Sequence, residues 1–205
     1  MNWSVLRWTA GLALAVGLYH VASPAFVRGD EDEDQKKATL AARADVLKLA
    51  GMKGADLKKA AEEIAKKHQM EYVMYSFKPR DKNGVGIGEK PGTVTPDSIE
   101  LYLLLKMGKG KRPALELEKN RDAFIKMAQI TGDIAEITEF YKPKKNAPGK
   151  MIKDWEKFTK EMQEGSKDLL KALDPKKPDP AKVFEAAQRL NSSCVDCHAM
   201  FRDSK

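Results

Sequence analysis

The sequence predicts an all-α protein, and three observations carry that prediction. Apolar residues recur at alternating steps of three and four, the spacing of one face of a helix. Of the 205 residues, 33% are charged and only 7% aromatic, a balance that favours helices with solvated faces over a sheet. No stretch alternates apolar and polar residues for the length of a strand, and no internal repeat is visible. The length suits one domain with an appendage.

The N-terminus reads as a targeting segment. Residues 1–7 carry one positive charge, an apolar run centred on 11–18 follows, and Ser23-Pro24-Ala25 offers small residues for a peptidase. Residues 1–25 are therefore expected to be a cleaved signal peptide, with a periplasmic mature chain. The rival is an uncleaved inner-membrane anchor, because 8–27 is uncharged and of membrane-spanning length. Pro24, His20 and the small-residue pattern argue against it. Segment 26–54 then holds an acidic run at 30–34 and a first helix over 35–50, interrupted at Gly51 and Gly54.

A second helix is expected over 55–77, with Leu57, Ala60, Ala61, Ile64, His68 and Tyr72 or Val73 facing inward, until Pro79 stops it. Glycines at 84, 86, 88 and 92 rule out a regular element over 81–92. Gly84-x-Gly86-x-Gly88 is not a dinucleotide loop, because no strand precedes it. The segment is either a loop packed closely on something flat or a flexible connection. Thr95-Pro96 is expected to cap a short helix over 97–107, ended by Gly108.

The later elements are more regular. Over 119–141 the inward face is Ala123, Met127, Ile130, Ile134, Ile137 and Tyr141, and Pro143 with 144–149 forms a loop. The next helix carries Met151, Trp155, Phe158, Met162, Leu169 and Leu173 in the same rhythm, closed by Pro175 and Pro178. Asp179-Pro180 is an N-cap followed by a first-turn proline, so the last helix begins there. Its inner face is Val183, Ala187, Leu190, Cys194, Cys197 and Phe201.

The net charge is +7, from 37 Lys and Arg against 30 Asp and Glu. Lysines alternate with acids along each helix, as solvated faces with i, i+4 pairs do. No Arg-rich cluster or aromatic stacking platform points to nucleic acid. A basic surface still suits encounter with an acidic partner.

Cys194-Val195-Asp196-Cys197-His198 spells C-x-x-C-H, the attachment signature of a c-type haem. Two thiols must add to the vinyl groups on one porphyrin edge, so they stand one helical turn apart. The imidazole of His198 then offers a neutral nitrogen to the iron as proximal ligand. The chain has only these two cysteines, so thioether formation would leave none for a disulfide. A redox-active C-x-x-C with an incidental histidine is the alternative.

Residues 119–205 resemble the class II c-type cytochromes, the cytochrome c′ group. The likeness rests on Cys194, Cys197, His198, Phe201 and Arg202, which match the ending C-x-x-C-H-x-x-[FY]-R, and on Trp155 and Phe158 at the start of the preceding helix. The first half is not cleanly alignable. The resemblance implies a four-helix bundle over 55–205 with one covalent haem c near the end of the last helix. The helix in 26–54 and the Gly-rich insertion would be additions. It also implies that Trp155, Phe158 and Phe201 pack on the haem and that Arg202 contacts a propionate or the proximal side; Lys78 and Arg80 are weaker propionate candidates.

The sixth iron position divides the functional readings. Members with low-spin iron use a methionine on the first helix, and others leave the site open. Met74 is the first candidate, Met70 the second, and His68 a third through bis-His ligation. One-electron transfer is the expected function, with no enzymatic chemistry beyond it. The alternative is a five-coordinate haem that binds nitric oxide or carbon monoxide. Redox proteins, diatomic gases and a homodimer mate are the partners the resemblance implies.

Overall fold

A computed structural model describes residues 28–107, 114–147, 149 and 151–202. The expected signal segment and Gly108 lie outside them. All regular structure among the described residues is helical, in eight α-helices, so the chain is all-α. Helix α1 spans Arg28–Lys48, earlier than expected, so the acidic run falls in its first turns, where the helix dipole favours negative charge.

The expected helix over 55–77 is broken. α2 spans Gly54–Lys67, α3 spans Met70–Met74, and a 3-10 turn Tyr75–Phe77 follows. His68 between them is extended, at φ −119° and ψ 148°. Its Nε2 lies 2.8 Å from Asp45 Oδ2 and its carbonyl accepts from Tyr141 Oη at 2.6 Å. Those two partners draw residue 68 out of the helical path.

Segment 81–92 is an ordered loop. Val85 and Ile87 are buried, and Gly86, at φ +67°, lies flat on an Arg80–Asp97 ion pair. The helix expected over 97–107 is shorter: α4 is Ile99–Tyr102, capped by Ser98 Oγ, and it widens into a π turn, Leu103–Met107. Asp97 is unavailable to the helix because it accepts from Arg80 and from Ile87 N.

A break at Asn120 separates α5, Ala114–Lys119, from α6, Arg121–Glu139. α7 spans Ile152–Leu173 and α8 spans Pro180–Cys197. Asp179 Oδ1 accepts from Ala181 N, as its cap position requires. Most of the expected inward faces are buried, namely Met127, Ile130, Ile134, Ile137, Trp155, Phe158, Met162, Leu169, Leu173, Val183, Ala187 and Leu190. Met151, expected to face inward, is instead the exposed N-cap residue of α7. The outer faces carry i, i+4 pairs such as Glu62–Lys66 and Lys157–Glu161.

α7 packs on both α6 and α8, and α2 packs on α6. Arg121, at the start of α6, donates to the carbonyls of Leu173 and Asp174 at the end of α7. Trp155, near the start of α7, donates to Thr138 near the end of α6. These helices are therefore antiparallel. α7 is about 33 Å long, while the chain from Leu173 to Pro180 reaches only about 25 Å, so α8 runs back beside it. That return brings the last turn of α8 to the end where α7 begins.

Candidate functional site

Cys194 and Cys197 occupy the last turn of α8, and His198 opens a π turn, His198–Arg202, that continues it. The spacing of three puts both thiols on one side of the helix. Both are half-buried, less deep than the fully buried seam the sequence suggested. Cys194 Sγ rests 3.9 Å from Met162 Sδ on α7. Burial pushes the Cys194 thiol up to about 12, with Cys197 and Glu100 adding to it. Burial alone pushes Cys197 up to about 11. Both sit at a helix C-terminus, whose dipole also disfavours a thiolate. These are neutral thiols, the opposite of the acidic nucleophile of a disulfide exchanger.

An aromatic wall stands beside them. Trp155 and Phe201 meet edge to face with centroids 5.0 Å apart, and Phe158 and Phe201 with centroids 6.5 Å apart. Trp155 Nε1 donates to the Thr138 carbonyl at 3.2 Å, which fixes the indole plane. Phe158 borders an open depression of about 480 Å³ together with Gly149, Asp196, Ala199 and Met200. The Lys157 ammonium stands 5.5 Å from the Phe158 ring centroid. The sequence thus brings Cys194, Cys197, His198, Trp155, Phe158 and Phe201 to one end of the molecule.

Arg202 is exposed, and its Nη1 lies 3.9 Å from Glu100 Oε1. Glu100 also raises the pKa of the Cys194 thiol and of the Lys78 ammonium, which desolvation lowers overall. Glu100 and Lys78 therefore face the end of α8, and segment 70–78 lies toward that end. Met70 and Met74 are half-buried there, with Met74 packed against the hydrophobic core. His68 is committed to Asp45, whose carboxyl is held well below its usual range by His68, Lys48 and Lys67. Arg80 is committed to Asp97.

A haem with two thioethers is chemically compatible with this donor set: two neutral thiols one turn apart, an adjacent imidazole, an aromatic wall and open space. Among the described residues no three His, Cys, Asp or Glu side chains converge as ligands of a bare metal ion. No described helix is long and apolar enough to cross a membrane. Sequence reasoning missed Glu100, Met200 and Gly149 as neighbours of the motif. Nothing in the sequence marks Glu100, because only folding brings it to the end of α8. Compared with protein-family models, curated proteins and solved structures, the chain matches none.

Proposed function

We propose that this chain is an exported mono-haem c-type cytochrome of the class II kind, a four-helix bundle that carries single electrons. The observation that supports it is the Cys194–Cys197–His198 set at the end of α8, beside the wall of Trp155, Phe158 and Phe201. When bound, the haem would supply an iron centre that accepts and releases one electron. Cys194 and Cys197 would tether the group covalently, and His198 would offer a neutral ring nitrogen to the iron. Trp155, Phe158 and Phe201 exclude water from one side, which favours the less charged state of the site. Lys157, beside the open depression, suits the approach of a partner with an acidic face.

The test is the visible spectrum of protein matured in a host with haem-attachment machinery, ferric and ferrous, with and without carbon monoxide. Haem that survives denaturing extraction, and is lost in Cys194→Ser/Cys197→Ser, is the expected result. A low-spin spectrum indifferent to the gas is expected for an electron carrier, and Met74→Ala should then make the iron high-spin. A high-spin spectrum that shifts with the gas would favour gas binding at an open iron. Met74 is packed against the hydrophobic core, the feature that favours this second reading. Absence of covalent haem would sink both.

A further inference from the structure

We propose that the cleft between α1, α6 and the glycine-rich loop, remote in sequence from the C-x-x-C-H motif, binds a small aliphatic monocarboxylate. The cleft encloses about 200 Å³, room for about six water-sized groups. One wall is Arg43 and Leu47, one turn apart on α1. The other is Lys126, Met127 and Ile130 on α6. Val85, Gly86, Gly88, Glu89 and Arg80 close the floor and rim.

The floor is prebuilt. Arg80 Nε donates to Asp97 Oδ2 at 2.8 Å, Arg80 Nη2 donates to the Gly88 carbonyl at 2.9 Å, and Asp97 Oδ1 accepts from Ile87 N at 2.6 Å. A Cβ on Gly86 would stand 2.3 Å from Asp97 Oδ1 and 2.5 Å from Arg80 Nε. Only glycine lets the backbone lie against that pair, and its φ of +67° suits glycine as well.

The charge is unbalanced. Asp97 neutralises Arg80, and Glu89 on the rim offsets one of the two remaining cations. Arg43 is half-buried, and among the described residues neither it nor Lys126 makes a hydrogen bond or ion pair. A partly desolvated guanidinium without an acceptor is unfavourable until an anion supplies one. One uncompensated positive charge suits a monoanion, and the Glu89 carboxylate disfavours a dianion. Leu47, Val85, Met127 and Ile130 provide the apolar side for a short hydrocarbon body. The shape and charge together select a short-chain carboxylate over phosphate.

The experiment is isothermal titration calorimetry of the purified full chain with sodium butanoate, sodium phosphate and 1-butanol at low ionic strength. Saturable one-to-one binding of butanoate is expected, with no binding of 1-butanol and weaker binding of phosphate. Arg43→Gln should weaken butanoate by about tenfold or more. Lys126→Gln, an exposed change that spares the fold, should weaken it in the same direction, while Lys145→Gln should leave it unchanged. Tighter phosphate than butanoate would overturn the monocarboxylate assignment. Equal binding of 1-butanol, or no butanoate heat with circular dichroism showing a folded chain, would overturn the site. None of these outcomes depends on haem attachment.

Discussion

Cys194 and Cys197 show how position sets chemistry. In a thiol exchanger the cysteine pair opens a helix and is made acidic; here the pair closes one, and burial makes both thiols weaker acids. At pH 8 this leaves about a hundredfold less thiolate at Cys197, and about a thousandfold less at Cys194, than in a free cysteine. Chain produced without haem attachment should therefore be alkylated by iodoacetamide at least about tenfold more slowly than a model thiol. Cys197 should react first. Rapid modification at pH 8 would revive the exchanger reading. Asp133 is perturbed too, pushed up to about 7 by burial and by Glu136. The folded state holds that proton where the unfolded chain has lost it, so stability should fall as pH rises from about 4 to about 7. Asp133→Asn should raise the melting temperature at pH 8 and match the parent near pH 4. A constant difference across that range would refute the assignment.

Among the elements, α7 and α8 approach closely at Gly165. A Cβ there would lie 3.0 Å from Leu190 Cα and 3.2 Å from Leu190 N, both backbone atoms that cannot move aside. Gly165→Ala should force the helices apart and lower stability by about 1–3 kcal/mol, measured by urea unfolding. A neutral or stabilising result would mean that α8 can shift along α7. The break at His68 was not legible in the periodicity, because the apolar spacing continues across it. The break at Asn120 falls at the start expected for the helix over 119–141, and it is the short α5 before it that the periodicity did not reveal. What interrupts the helix at His68 is a pairing with Asp45 and Tyr141, residues 23 and 73 positions away. The start of α8 was legible, because Asp179 and Pro180 act within their own turn.

For the whole molecule, the antiparallel return of α8 along α7 sets the character of the motif end. It places Phe201 on Trp155 and Phe158 and leaves the depression beside Asp196 and Met200 open. The chain has three tryptophans, two of them within residues 1–25. After the proposed cleavage Trp155 is alone and lies against the motif. Its emission should be largely quenched in the haem-loaded protein and restored in Cys194→Ser/Cys197→Ser. Equal emission in the two would place the haem away from the aromatic wall.

The all-α class, most of the buried faces of α6, α7 and α8, the cap at Asp179 and the grouping of Cys194, Cys197 and His198 are written in the sequence. Each of these follows from residues within a few turns of one another, where helical geometry fixes the outcome. It takes the folded chain to show that Arg202 meets Glu100, that His68 belongs to Asp45, and that Arg43, Arg80 and Lys126 line one cleft. Those contacts join distant parts of the chain through charge and shape, and no local spacing encodes which distant partner a side chain finds.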